Sequence, residues 1–229
     1  MTREERQAEY ARLRQEARQE AAEYVRDRQH QARKEHLTQA YGHAGIPPRF
    51  RGRTFATYQA TSDEQHYAIQ VAQAYAGRFA QALANGTCLT LIGNPGTGKT
   101  HLAAAIGQAV IEAGYGVLFR SLSGILREFR SSYRPDGPSE EAVMARMIEP
   151  DLLIIDEVGV AIGNLEKTQA TLFDVFNGRY EEGKPTLLLG NVTTQELRAF
   201  LGERIDRRIR EGGGPVVPFT WEPHQGAQG

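Results

Sequence analysis

Gly93-Asn94-Pro95-Gly96-Thr97-Gly98-Lys99-Thr100 matches the pattern G-x-x-x-x-G-K-[ST] at every fixed position. The stretch follows an apolar run, Leu89–Ile92, and opens an alanine-rich segment, which predicts a strand, a loop and then a helix over Thr100–Ala113. In such a loop, backbone N–H groups and the positive end of the helix surround phosphate oxygens. Lys99 reaches the β- and γ-phosphates, while the Thr100 hydroxyl ligates Mg²⁺. We therefore predict that these residues and the adjoining His101 bind ATP with Mg²⁺.

A pair of carboxylates follows a second apolar run. Leu152–Ile155 leads directly into Asp156 and Glu157. At the carboxyl end of a buried strand, Asp156 would lie beside the phosphate loop and hold Mg²⁺ or a water bound to it. Glu157 points differently and would orient or deprotonate the attacking water, which favours hydrolysis. The alternative is that both acids only mark the strand's exit into solvent, but the upstream loop favours the catalytic interpretation.

A polar amide follows a third apolar run. Asn191 comes directly after Thr186–Gly190. If that run is a strand of the same sheet, Asn191 faces the nucleotide and contacts the γ-phosphate or the attacking water. The alternative is a capping role, because Asn191, Thr193 and Thr194 all suit the start of a helix. We favour the catalytic role.

Helical and apolar segments alternate along most of the chain. The pattern predicts an α/β P-loop fold in which a parallel sheet lies between helices. The expected strands are Leu89–Ile92, Val117–Arg120, Asp151–Ile155 and Thr186–Gly190. The expected helices are Ser62–Ala84, Thr100–Ala113, two short ones after the second strand, Thr168–Glu182 and Gln195–Leu201.

Three regions of different character divide the chain. Residues 1–45 contain no Gly or Pro before Gly42 and are rich in Arg, Glu, Gln and Ala, which predicts a charged helical extension. Its apolar stripe is thin, so a frayed arm and a partner-binding helix both remain open. Residues 46–61, with Pro47 and Pro48, form a linker that either touches nucleotide or anchors on the domain. Residues 62–229 form the nucleotide-binding domain.

The composition excludes several classes of protein. The net charge of −1 over 229 residues excludes a uniformly basic DNA-coating protein, so any nucleic-acid contact needs a local patch. The single cysteine, Cys88, cannot form an internal disulfide, and no Cys/His spacing indicates zinc. No apolar run approaches the length of a membrane span, and because the N-terminus is charged from Arg3 onward we expect no signal peptide. We expect a soluble cytoplasmic protein without membrane contact.

Two arginine-rich stretches are candidates for binding phosphate groups. The pattern of residues 202–210 predicts a helix with one apolar face and with its arginines on the remaining surface. Arg208, and after it Arg204, are candidates to contact the nucleotide of a neighbouring subunit. The second stretch has an apolar face of Ile125, Leu126, Phe129 and Tyr133. It carries a basic stripe that would follow a nucleic-acid backbone, formed by Arg127, Arg130 and Arg134, with Arg120 nearby. In both stretches, the alternative is a solvated basic face.

Together these residues resemble the DnaC-type replicative helicase loaders and the related IstB-type transposition helper ATPases, both of the AAA+ class. The resemblance covers roughly residues 50 to 221 and includes two runs more specific than the phosphate loop: His101-Leu102-Ala103-Ala104-Ala105-Ile106, and Asp151 to Asp156 continuing into Glu157-Val158-Gly159. It also includes Arg53-Thr54-Phe55, Asn191, and Gly202-Glu203-Arg204 followed by Arg208.

The resemblance implies an AAA+ ATPase that loads a hexameric DnaB-type helicase onto single-stranded DNA during replication initiation. The N-terminal extension would grip the helicase, and Ser123–Ile148 would contact the DNA. ATPase domains would self-associate side by side, with Arg208, and less surely Arg204, acting in trans, and Asn191 would match the sensor-1 position.

One departure from this family and two alternative functions remain. The arginine that usually follows the family's Phe-x-Trp is missing after Phe219-Thr220-Trp221, where Glu222-Pro223-His224-Gln225-Gly226 follows, so turnover is expected to be slow. The alternatives are a transposition helper that engages duplex DNA and a transposase, and a regulatory nucleotide-binding module with little turnover. The balanced charge of the extension suits protein contact and favours the loader.

Overall fold

A computed structural model describes residue 37, residues 39–160 and residues 163–223. The chain divides into two compact units, Met1–Ala40 and Tyr41–Gly229. The predicted helical extension over residues 1–45 therefore lies almost entirely outside the described residues, and its partner role stays a prediction.

A five-stranded sheet forms the centre of the second unit. Its strands are Leu89–Gly93 (β1), Val117–Ser121 (β2), Leu152–Asp156 (β3), Thr186–Gly190 (β4) and Val216–Phe219 (β5). They lie in the order β2-β3-β4-β1-β5, and every neighbouring pair is parallel. All of β4 is buried, and β1 and β3 are buried up to their last residue, which explains their continuous apolar sequences. The predicted α/β architecture with a parallel sheet is confirmed.

Eight α-helices are described around this sheet in residues 63–211. They are Asp63–Gly77 (α1), Phe79–Asn85 (α2), Lys99–Glu112 (α3), Leu122–Ser132 (α4), Glu140–Ile148 (α5), Leu165–Glu181 (α6), Thr194–Leu201 (α7) and Glu203–Glu211 (α8). The expected helix over Ser62–Ala84 is divided in two, because the backbone at Arg78 leaves the helical region (φ −113°, ψ 26°). Within the described residues, no helix is both long enough and apolar enough to cross a lipid bilayer.

Strand β5 was not predicted from the sequence. It contains Pro218, which cannot donate to a ladder and is tolerated on an edge strand such as this one. Its pairing with β1 places Phe219 opposite Gly93, at the start of the phosphate loop. The strand therefore brings the segment after it to the same edge of the sheet as that loop.

The predicted linker over residues 46–61 is anchored on the domain. Ile46 is 2% exposed and Tyr58 7% exposed. The Gln108 side chain on α3 donates to the carbonyls of Phe50 and Arg53, at 3.3 Å and 2.8 Å. Of the two alternatives for this segment, the contacts favour anchoring.

Candidate nucleotide-binding site

Three strands deliver the predicted site residues to one edge of the sheet. In the parallel ladder, Ile92 of β1 pairs with Gly190 of β4, and Ile155 of β3 pairs with Leu188. The phosphate loop, the acidic pair and Asn191 therefore follow the carboxyl ends of neighbouring strands. In open α/β sheets this edge is where ligands bind.

The phosphate loop has the backbone that its glycines allow. Gly93, Gly96 and Gly98 have φ values of 127°, 72° and 96°, a region that side chains disfavour. At Gly93 a Cβ would also lie 2.3 Å from the Phe219 carbonyl oxygen. The Thr97 hydroxyl donates to the Asn94 carbonyl at 2.7 Å and closes the turn before α3 begins at Lys99. The loop thus ends on a helix N-terminus, as an anion site requires.

Lys99 folds back into the loop. Its ammonium donates to the carbonyls of Gly93, at 2.9 Å, and Asn94, and the residue is 6% exposed. Burial lowers the pKa of Lys99 to about 8, and the nearby Asp156 carboxylate partly opposes the shift. A bound phosphate would replace neutral carbonyl partners with charged oxygens and so favour the protonated amine.

Thr100 and Asp156 converge on one point. The Thr100 hydroxyl donates to Asp156 Oδ2 at 3.1 Å, and the backbone N–H of Glu157 donates to Oδ1 at 2.7 Å. Burial raises the pKa of Asp156, while these two hydrogen bonds act in the opposite direction. A hydroxyl and a carboxylate oxygen in contact are the ligand pair that Mg²⁺ takes in phosphoryl-transfer sites, so the residues fit this cation.

Glu157 is exposed and has an unusual backbone. Its φ of 62° lies in the left-handed region, where it is the only non-glycine among the described residues. The next residue, Val158, is buried and donates its N–H to the Leu189 carbonyl of β4 at 2.8 Å. Such strain persists where the surroundings enforce it, and it occurs preferentially at functional sites.

Asn191 is exposed at the end of β4 and is not the cap of the next helix. Thr193 caps α7 by accepting from the N–H of Glu196 at 3.2 Å, and the Glu196 carboxylate accepts from the Thr193 N–H at 2.7 Å. The capping alternative is therefore excluded for Asn191. Its predicted contact with the γ-phosphate or water stays a prediction.

The side chain of His101 is turned towards the linker. Its Nε2 lies 2.9 Å from the Thr54 carbonyl oxygen and 3.2 Å from the Thr57 hydroxyl. The ring therefore contacts the linker, and nucleotide binding by His101 stays a prediction for its backbone N–H in the first turn of α3.

Two aromatic side chains at the loop were missed by sequence reasoning. Tyr58 donates its hydroxyl to the Thr97 carbonyl at 3.3 Å, and Trp221 donates its indole N–H to the same oxygen at 3.1 Å. The Asn94 side chain donates to the Thr220 carbonyl at 3.0 Å. The only signal for this packing was the Phe-x-Trp match at Trp221, and nothing in the sequence pointed to Tyr58.

The two candidate trans-acting arginines lie on α8. The Arg208 guanidinium lies 5.0 Å from the Phe173 ring centre and 4.9 Å from that of Tyr180. Its Nη1 is buried and finds no hydrogen-bond partner among the described residues. Arg204 is exposed and lies 5.7 Å from the Phe173 ring centre. The other arginines of this helix form surface ion pairs, Arg207 with Glu211 and Arg210 with Asp206.

Arg208 lies near the end of the sheet opposite the phosphate loop. It borders a cavity of about 210 Å³ that is also lined by Gly86 and Cys88, which precede β1, and by Thr186, the first residue of β4. The phosphate loop follows the other end of β1. The guanidinium is thus remote from the nucleotide site of its own chain.

The predicted basic stripe is only partly formed. Arg127 and Arg130 are exposed on α4, whereas Arg134 is exposed beyond the end of that helix. The expected apolar face is wrong at Tyr133, which follows α4 and is 72% exposed. Arg120 pairs with Glu128 at 2.8 Å and is 25% exposed, and its contact with DNA stays a prediction.

Comparisons with known proteins agree with this geometry. Residues 4–205 match the family described as IstB-like ATP binding protein. The chain is 32% identical over 179 residues to the uncharacterized protein YdaV of Escherichia coli K12, across 78% of this chain and 70% of that protein. It is 30% identical over 189 residues to the replicative helicase loader DnaC of the same organism, across 82% and 76%. The crystal structure of the DnaC helicase loader matches the fold with a TM-score of 0.67 at 20% identity, across 76% of this chain and all of that one.

Proposed function

The chain belongs to the family of IstB-like ATP-binding proteins that includes the DnaC-type ATPases, and from this we propose that it loads a replicative helicase onto single-stranded DNA during replication initiation. The observation that carries the proposal is the similarity to a replicative helicase loader over most of both chains. The protein is an AAA+ ATPase, and the finer statements below concern its mechanism and its partners.

ATP hydrolysis follows from the residues at the edge of the sheet. The loop amides and Lys99 bind the β- and γ-phosphates, and Thr100 and Asp156 would hold Mg²⁺, which when bound neutralises charge on the phosphate oxygens. Glu157 accepts a proton from the attacking water or orients it, and Asn191 positions the γ-phosphate or that water. The missing arginine after Trp221 removes one cation from the site, so we expect slow turnover.

The partners are assigned to separate parts of the chain. Residues 1–45 bind the hexameric helicase, because their nearly neutral mixture of charges suits protein contact better than DNA contact. The exposed arginines of and after α4 bind the backbone of single-stranded DNA. ATPase domains self-associate so that Arg208, and secondarily Arg204, reaches a neighbour's nucleotide. We expect this work to take place in the cytoplasm.

Native mass spectrometry of the protein with its host's replicative helicase and ATP tests the proposal. We expect a stable complex with the helicase hexamer that is lost when residues 1–45 are removed. Lys99→Ala provides a matched control, because it keeps the extension and removes the phosphate ligand. No complex with either the full or the shortened chain would contradict the loader function and favour the transposition helper. The ATPase assignment would stand in both cases.

A separate experiment tests the DNA contact. Replacing Arg127, Arg130 and Arg134 together by Gln should weaken binding to single-stranded DNA and flatten its dependence on salt, since fewer phosphate charges are then neutralised. Arg146→Gln is the control, because Arg146 is also exposed (49%) but pairs with Glu128 on the protein itself. Equal salt slopes for the triple variant and the unaltered protein would leave these arginines as a solvated face.

A further inference from the structure

One carbonyl oxygen of the phosphate loop accepts hydrogen bonds from two distant parts of the chain. The Thr97 oxygen receives the Tyr58 hydroxyl at 3.3 Å and the Trp221 indole N–H at 3.1 Å. Tyr58 lies in the linker before the domain, and Trp221 lies after the last strand. Both donors therefore hold the Thr97–Gly98 peptide from outside the loop.

The orientation of this peptide determines what the loop offers to an anion. A trans peptide is planar, and its C=O and N–H groups point in opposite directions. Holding the Thr97 carbonyl towards the two rings directs the Gly98 N–H away from them. In phosphate loops, the successive N–H groups that point inward form the anion cradle. An inverted Thr97–Gly98 peptide would present a carbonyl oxygen to the phosphates and repel them.

The other side-chain hydrogen bonds of the loop do not engage the Thr97 carbonyl, because the Thr97 hydroxyl and the Lys99 ammonium donate to the carbonyls of Gly93 and Asn94. Gly96 and Gly98 flank Thr97, with φ values of 72° and 96°, and glycine populates positive and negative φ about equally. The peptides on either side of Thr97 are consequently free to rotate unless external groups restrain them. The two hydrogen bonds to the Thr97 oxygen supply that restraint.

We propose that Tyr58 and Trp221 are positioning residues for ATP binding, which keep the Gly98 N–H directed at the phosphates by holding the Thr97 carbonyl outward. The inference depends on ATP binding by this family and is independent of any helicase partner.

Both rings are themselves fixed by packing. Tyr58 meets the His101 ring edge-on at 5.3 Å, and a Cβ at Gly98 would lie 2.7 Å from the Tyr58 ring. Trp221 packs on Phe219 at 4.6 Å. Burial raises the pKa of Tyr58 to about 12, so its hydroxyl remains a donor throughout the physiological range. Packing therefore holds both donors in place at the Thr97 carbonyl.

The test removes each donor and keeps each ring, with Tyr58→Phe, Trp221→Phe and the double variant. Isothermal titration with ATPγS and Mg²⁺, and separately with tripolyphosphate, measures affinity for the phosphates with and without the nucleoside. One net hydrogen bond is worth about fivefold in an equilibrium constant. Because one bond alone no longer keeps most loops in the outward-carbonyl form, each single variant should lose about two- to fivefold in affinity. The double variant should lose at least the product of the two, up to about 25-fold.

Tyr75→Phe is the matched control. Its hydroxyl donates to the Thr87 carbonyl at 2.9 Å, before β1 and so at the end of the sheet opposite the loop. This variant should keep full affinity for both ligands. In steady-state hydrolysis, the Tyr58 and Trp221 variants should raise KM with little change in kcat. The substitutions lower the fraction of molecules whose Gly98 N–H faces the phosphates, and they leave the chemistry of bound ATP unchanged. Thermal unfolding shows whether each variant is folded. If the double variant is unfolded, the affinities of the two single variants still test the proposal.

Distinct outcomes separate this inference from the proposed function. Unchanged affinity in both single variants, or an equal loss in Tyr75→Phe, would overturn the positioning role while leaving the ATPase intact. Absence of ATP binding by the unaltered protein would overturn both. A loss of affinity for ATPγS without a loss of affinity for tripolyphosphate would also overturn the positioning role, since the Thr97–Gly98 peptide faces the phosphates and not the adenosine.

Discussion

Replacing Arg179 by Met should destabilise the protein by about 4 kcal/mol. Arg179 lies in α6, is 1% exposed, and has the largest fully buried side chain in the described part of the protein. Its five N–H groups donate to six neutral oxygens, because Nη1 shares its two N–H groups among three acceptors. The acceptors are the carbonyls of Met147, Ile148, Pro150, Asp151 and Pro185 and the hydroxyl of Thr186, at 2.6 to 3.2 Å.

The expected loss of stability in Arg179→Met follows from the position of those acceptors. They include the last carbonyls of α5 and the residues that lead into β3 and β4, so one side chain joins a helix end to two central strands. Hydrogen bonds to a charged donor contribute about 1.5 kcal/mol or more each, which for five N–H groups exceeds the several kcal/mol that burying a guanidinium costs. Burial lowers the pKa of Arg179 to about 10, so it remains charged at neutral pH. Methionine fills much of the space but leaves the carbonyls without a donor.

Urea unfolding followed by circular dichroism measures this loss, provided that the slope of free energy against urea is unchanged. Arg146→Met is the control, because Arg146 is 49% exposed and pairs with Glu128 at 2.9 Å, an interaction worth at most about 1 kcal/mol. A loss below about 1 kcal/mol for Arg179→Met would refute the reasoning. It would mean that water or a local shift satisfies the carbonyls.

Three further predictions concern the nucleotide site. Glu157→Gln should bind ATP normally and hydrolyse it about 10²- to 10⁴-fold more slowly, as measured by phosphate release, and normal turnover would exclude it as the base. Because burial lowers the pKa of free Lys99 to about 8 and bound phosphate favours its protonated form, ATP affinity should be constant just below pH 8. Above pH 8 the affinity for ATP should fall by up to about tenfold per pH unit, and calorimetry should show that ATP binding takes up a proton. An affinity that does not change with pH would contradict this. Mixing Arg208→Ala with Lys99→Ala subunits should restore part of the ATPase activity that each lacks alone, and no rescue would argue against action in trans.

The sequence predicted the sheet and the order of the site elements for a physical reason. Strands buried on both faces appear as unbroken apolar runs, and Leu152–Ile155 and Thr186–Gly190 are such runs. The phosphate loop is recognisable because its glycines occupy backbone conformations closed to other residues. Once these strands are parallel neighbours, the positions of Asp156 and Asn191 follow from the geometry of the sheet.

Other features depend on contacts between remote segments, which leave no local pattern. Trp221 and Thr97 meet across 124 positions of the chain, and this meeting requires β5, whose Pro218 concealed it from strand prediction. Arg179 looks like any arginine in a helix until its six acceptors are seen. The sequence likewise gives no sign that Arg120 forms an ion pair with Glu128, two turns along the next helix.

The location of Arg208 bears on how hydrolysis is linked to assembly. It lies by the residues that precede β1, whereas the phosphate loop begins about 13 Å away at the other end of that strand, so its own nucleotide is out of reach. Its buried Nη1 lacks a partner among the described residues, a state that costs about 1 to 3 kcal/mol and that contact with phosphate oxygens would relieve. The rings of Phe173 and Tyr180 hold the guanidinium by cation–π attraction without satisfying its N–H groups. These contacts support the proposed action of Arg208 on a neighbouring subunit's nucleotide, because its own nucleotide site lies at the opposite end of the sheet.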